Sequence, residues 1–299
     1  FSKKVLLIDP RIKCEEDILV SLPYLIRQSF ILYDSTMILQ VKNLFAEYEN
    51  CPILNDISFE LLQGEFVCLC GTNGCGKSTL LNVLANVQND SLKITNAKIL
   101  PSIKTDEKII ELSKLSRKEC AQFISYMPQN EFSTWNFSVK DIVESGLFCH
   151  QKHFFKTKKD DELIKSVLKD LQILHLENRL VNSLSGGEFQ KVRIARALVQ
   201  NPRFILLDEP ASSLDFVFEP ELMDFLKNAA HTKKIGILIS VHNVNLAIRF
   251  ADKIMLLPKN QPVIFGEPSQ IITTENLEKT FKTQIQLFNH PIYNCTQIC

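Results

Sequence analysis

The sequence predicts an α/β protein built on a mainly parallel sheet, with a helix-rich lobe inserted into it. Three observations carry this reading. The apolar runs Phe66–Cys70, Phe204–Leu207, 235–241 and 254–257 have the length of buried strands and are too short for buried helices. Segments with helical periodicity alternate with them, as βαβ units require. A glycine-rich loop over 71–78 sits between one such strand and a helix.

In chain order, Met37 leads into Ile38, Leu39, Gln40 and Val41, a run with strand character. Residues 57–62 read as a second strand, and Gln63 with Gly64 as a turn. After the strand Phe66–Cys70 and its loop, residues 77–87 read as a helix. Residues 88–118 are polar and read as a hairpin followed by a helix start. Over 139–178 the chain reads as helical: Val139, Ile142, Val143 and Leu147, then Leu163, Val167, Leu168 and Leu171, recur at helical spacing. This places the inserted lobe near residues 130–183. Residues 189–199 form another predicted helix.

Composition narrows the function. The 299 residues are 45% hydrophobic, enough for a large core. Thirty-four basic residues balance 34 acidic ones, so neither a nucleic-acid surface nor an acidic tail is indicated. No run approaches the roughly 18 apolar residues of a membrane-spanning helix, so a membrane role is expected to act through a partner. The nine cysteines are an odd number in a large chain and are expected to be reduced thiols. Cys68 and Cys70 read as small core residues. Cys295 and Cys299 lack a second ligand pair for zinc. The first 36 residues contain no methionine, and Asp9, Arg11, Lys13, Glu15, Glu16 and Asp17 interrupt any secretory-signal core. That segment is read as a non-native or dispensable extension, the rival being a docked amphipathic helix carrying Ile18, Leu19, Leu22 and Ile26.

Gly71-Thr-Asn-Gly-Cys-Gly-Lys-Ser78 fits the phosphate-loop pattern, with a strand before it and a helix after it. Its glycines let several backbone N–H groups face one anion, and the helix adds its positive end. Lys77 is expected to reach the β- and γ-phosphates, and Ser78 to hold Mg²⁺. The strand Phe204–Leu207 ends in Asp208, Glu209 and Pro210. Asp208 is placed for the Mg²⁺ shell, and Glu209 to polarise an attacking water.

Leu184-Ser185-Gly186-Gly187-Glu188, followed by Gln190 to Leu198 (QKVRIARAL), resembles the LSGGQ-type signature of the ABC ATPases. Further stations follow the family order. Tyr48 matches the adenine-stacking aromatic, and Gln129 the Q-loop residue that touches Mg²⁺ and water. Ser212-Ser-Leu-Asp215 matches the D-loop, and His242 the switch histidine at the γ-phosphate. The resemblance spans most of residues 37–299. It implies a RecA-like P-loop core with an N-terminal antiparallel β portion and an inserted helical lobe. It also implies ATP with Mg²⁺, held by Gly71, Asn73, Gly74, Cys75, Gly76, Lys77, Ser78 and Thr79. Ser185, Gly186, Gly187 and Asp215 are expected to serve the nucleotide of a second subunit in a head-to-tail dimer. Two positions depart from the family: Asn243 follows the switch histidine in place of the usual Asp, and Cys75 brings a thiol into the phosphate loop.

Within the family, Leu115-Ser-Arg-Lys-Glu119, the run 124–129 and the segment 137–146 resemble importer ATPases for iron chelates, haem and cobalamin. Gly266-Glu-Pro, residues 276–281 and His290-Pro291 resemble their short C-terminal tail. This implies ATP hydrolysis coupled to import, multi-span membrane permease partners and, indirectly, an extracytoplasmic cargo-binding protein. The implied location is cytoplasmic, peripheral on the inner face of the cell membrane. The alternatives are a zinc or manganese importer ATPase and a soluble ABC ATPase serving assembly.

Overall fold

The structure, a computed structural model, describes residues 37–49, 51–87, 92–131, 136–150, 158–211, 218–290 and 295–298. The predicted extension 1–36 and the D-loop residue Asp215 lie outside the described residues.

The chain opens with an antiparallel layer. Strand β1 (Ile38–Tyr48) pairs with β2 (Cys51–Leu62) along its length. Strand β3 (Phe66–Cys70) then enters a second sheet and leads to helix α1 (Lys77–Leu84). Strands β4 (Leu92–Asn96), β5 (Ile99–Lys104) and β6 (Ile109–Glu111) return to the first sheet. A bulge after Val41 bends β1, with Asn43 in the left-handed region at φ 49°. Upstream of the bulge β1 pairs with β5; downstream it pairs with β4. The predicted hairpin is therefore β5–β6, followed by the one-turn helix α2 (Arg117–Cys120). Helix α1 ends three residues before its predicted limit of 87. Asn86 turns left-handed there, at φ 54°, and its amide donates to the Leu112 carbonyl at 2.9 Å.

The second sheet carries the remaining architecture. It adds β7 (Ile124–Met127), β8 (Phe204–Leu207), β9 (Gly236–Ser240), β10 (Lys253–Leu256) and β11 (Ile264–Gly266). The order is β11-β10-β3-β9-β8-β7, parallel except at the β11 edge. Both faces are buried, so the strands read as continuous apolar runs. Alternate residues supply two cores. Phe66, Cys68, Cys70, Ile205, Leu207, Ile237 and Ile239 face one cluster. Val67, Leu69, Phe204, Leu206 and Leu238 face the other, which contains α1 and the antiparallel layer.

Between β7 and β8 lie α3 (Val139–Glu144), α4 (Lys158–Asp170) and α5 (Gly186–Val199). The predicted helical stretch 139–178 is thus broken: after α3 comes a tighter 3₁₀ segment, Ser145–Cys149. Gly146 lets this segment pack closely on α5, since a Cβ there would collide with the Arg196 carbonyl. Val139, Val143, Ile164, Val167 and Leu168 join the core that lies under α5, so the lobe shares its core with the parallel sheet. Helices α6 (Phe218–Lys233), α7 (Val244–Phe250), α8 (Pro268–Ile271) and α9 (Thr274–Phe281) follow. A closing hairpin, β12 (Leu287–Asn289) with β13 (Thr296–Ile298), lies against α7. The Asn245 side chain pairs with Ile298 there, accepting from its N–H at 2.8 Å and donating to its carbonyl at 3.1 Å.

Candidate nucleotide site

The C-terminal ends of the parallel strands converge on a cleft of about 300 Å³. Asn73, Gly74, Gly76, Lys77, Ser78, Thr79, Gln129, Glu209 and His242 line it, together with Ile53. Gly74 and Gly76 take φ values of 72° and 107°, which only glycine adopts freely. Gly76 occupies the N-cap position of α1 without any side-chain cap, so the first N–H groups of that helix remain for an anion. Gly71 has a different role. A Cβ there would meet the Leu257 carbonyl and the Cys75 Sγ, each at 2.7 Å.

The chemistry gathers on Glu209. Strand β8 ends at Leu207, and Glu209 turns left-handed at φ 49°. Its carboxylate lies 2.7 Å from His242 Nε2 and accepts from Gln129 Nε2 at 2.6 Å. The Lys77 ammonium stands 4.0 Å away and donates to the Gly71 carbonyl at 3.0 Å. Asp208 is 1% exposed and accepts from Ser240 Oγ at 2.7 Å. The same hydroxyl accepts from the Glu209 N–H at 2.8 Å, so one serine orients both acids. Asn243 caps α7, accepting from the N–H groups of Asn245 and Leu246 at 3.1 and 3.4 Å. A neutral cap thus does what Asp would do, and the helix begins directly after His242.

Several predicted residues fall elsewhere. The Cys75 side chain is 2% exposed and packs in the core below the loop, and burial raises its pKa. The thiol itself is thus not among the groups lining the cleft. Tyr48, at the end of β1, packs partly buried against the same core and is not a lining residue of the cleft. Ser185, Gly186 and Gly187 line separate surface clefts at the start of α5. Ser185 caps that helix in a reciprocal box. Its Oγ accepts from the Glu188 N–H at 3.3 Å, and Glu188 accepts from the Ser185 N–H at 2.8 Å. The Ser185 N–H, with the Ser185 hydroxyl donating at 2.9 Å, holds the Glu188 carboxyl below its usual pKa.

Sequence reasoning missed Ser240 and Ile53. A hydroxyl at the end of the apolar strand β9, two residues before His242, was the available signal for the first. Nothing local marked Ile53, whose place depends on β2 crossing the loop. The seven described cysteines are free. Among the described residues no helix is long and apolar enough to cross a membrane, and no cluster of three or more His, Cys, Asp or Glu is arranged for a metal.

The family model described as ABC transporter matches residues 54–212. The chain belongs to the ABC transporter family. It is 36% identical to an ABC transporter ATP-binding protein of Methanocaldococcus jannaschii, over 85% of this chain and 95% of that one. It is 30% identical to the petrobactin import ATP-binding protein of Bacillus anthracis, over 87% of this chain and 92% of that one. Among solved structures, an inward-facing transporter of the metal-chelate type is similar over 89% of this chain and 97% of the other, with TM-score 0.72 and 30% identity. The expected ABC ATPase fold and ATP hydrolysis coupled to transport therefore hold for this chain.

Proposed function

We propose that this ABC protein hydrolyses ATP to drive import of a metal chelate, most simply an iron–siderophore complex. The observation that carries the hydrolytic reading is the convergence of Lys77, Gln129 and His242 on the Glu209 carboxylate. Glu209 serves as the group that polarises water, and His242 with Lys77 contacts the γ-phosphate. Asn73 to Thr79 wrap the phosphates, and Tyr48 is the adenine partner. Ser78, Gln129 and Asp208 offer a hydroxyl, an amide oxygen and a carboxylate, the hard donor set that suits Mg²⁺. Gln129 spends its N–H on Glu209, which leaves its amide oxygen for the cation. Bound Mg²⁺ supplies charge neutralisation at the phosphates.

Ser185, Gly186 and Gly187 lie outside the cleft of their own chain, which supports a head-to-tail dimer with each signature serving the other subunit's nucleotide. Asp215 would sit at that dimer interface. The cargo class is argued from the relatives: one is a petrobactin importer subunit, and the solved neighbour is of the metal-chelate type. They favour import over an assembly role. The chain would then work at the inner face of the cell membrane, on permease subunits that receive cargo from an extracytoplasmic binding protein. Co-purification tests this. A multi-span permease should co-purify, and loaded siderophore-binding protein should stimulate ATP turnover of the reconstituted complex. Stimulation by a zinc- or manganese-loaded binding protein instead would overturn the cargo class.

A further inference from the structure

The buried side of α5 holds a charge that the nucleotide chemistry does not use. Arg193 is 4% exposed, between the buried apolar residues Val192 and Ile194. A guanidinium in that position is costly unless its donors are matched. Its donors go to the Pro128 carbonyl, the Gln129 carbonyl at 3.4 Å, Gln190 Oε1 at 2.9 Å and Glu131 Oε2 at 3.3 Å. Glu131 also accepts from Arg196 Nη2 at 2.7 Å. Burial would raise the Glu131 pKa, but the two arginines hold it below its usual value. Beside this cluster, Gln190 Nε2 donates to the Pro210 carbonyl at 2.6 Å, one residue past Glu209.

Three residues of one loop and the turn after β8 are thus tied to a single helix face. Pro128, Gln129 and Glu131 are held by Arg193, and Pro210 by Gln190. The Gln129 side chain, fixed by its own backbone, meets Glu209. We propose that Arg193 is a positioning residue for ATP hydrolysis, clamping the Gln129 loop to the signature helix so that the Gln129 amide aligns Glu209. This rests on the hydrolytic roles given above to Gln129 and Glu209. Because Ser185 caps α5, a movement of that helix on dimer closure carries Gln129 and Pro210 with it. The planar fork matters: a lysine brings the charge but cannot reach carbonyls and a carboxylate from one rigid group.

Steady-state ATP turnover of the full chain tests the proposal. Arg193→Met should lower kcat about tenfold or more, with the KM for ATP changed less than about threefold. Combined with Gln129→Ala, it should lower kcat no further than Gln129→Ala alone, because residues that act as a unit are not additive. Arg193→Lys should recover only part of the loss. If Arg193→Met does not fold, Arg193→Met with Glu131→Gln removes both charges and is read in the same way. Wild-type kcat in a folded variant overturns the proposal, as do multiplicative losses in the double variant. Failure of both variants to fold overturns it too, assigning Arg193 to stability alone. Unchanged turnover in Gln129→Ala by itself would instead refute the role of Gln129 on which the proposal stands.

Discussion

His242 Nε2 and Glu209 Oε1 lie 2.7 Å apart, although they follow different strands, β9 and β8. The two strands are parallel neighbours, with Leu207 in register with Ile239, so both side chains leave the sheet at the same edge. Lys77 approaches the same carboxylate from the start of α1, which follows β3 on the other side of β9. An ATP γ-phosphate is an anion that competes with Glu209 for the Lys77 ammonium and the His242 ring.

Glu209→Gln removes that competitor along with the base. ATP should bind at least as tightly as to the wild type, while kcat falls about 10²- to 10⁴-fold. Filter binding of labelled ATP and a turnover assay on the same sample check this. Near wild-type turnover would remove Glu209 from the chemistry.

Ser240→Ala deletes the hydroxyl that donates to Asp208 and accepts from the Glu209 N–H. Both groups are buried, and each loses a partner. A stability loss of about 1–3 kcal/mol is expected from such unsatisfied groups. Denaturant titration measures it, and kcat should fall with it. A variant as stable as the wild type and equally active would show that the two acids hold their geometry unaided.

Ser185→Arg places bulk and positive charge at the start of α5. Nucleotide binding to the monomer should survive, since Ser185 is not part of the cleft that holds Lys77. ATP-dependent dimerisation, read by light scattering in a Glu209→Gln background, should be lost. Weakened ATP binding in the monomer would contradict the cross-subunit arrangement.

Cys75 should resist alkylation. Burial raises its pKa, so the reactive thiolate is scarce at neutral pH, and its fraction grows only as pH rises toward that raised value. Cys51 is exposed and should take up maleimide first. Mass spectrometry of peptides labelled at pH 7 and pH 9, with and without ATP, checks the order. Rapid labelling of Cys75 at pH 7 would place it at the surface of the loop.

Local chemistry alone made the phosphate loop, the strand ending in Asp208 and Glu209, and the signature before α5 legible in the sequence. Glycines at left-handed positions, a short apolar run and a helix cap each leave a mark within a few residues. The parallel strands were readable for the same reason: burial on both faces forces continuous apolar runs. Other features depended on residues far apart in the chain. Gly146 is needed because α5 passes against it and leaves no room for a Cβ. Cys75 faces the core because the loop curls over Gly71, and Ser240 matters because β9 lies beside β8. Arg193 reads in sequence as one more charge on a helix. Only the packing of α5 against the Gln129 loop buries it and gives it carbonyls to hold, since burial and hydrogen-bond partners are properties of the fold rather than of the residue.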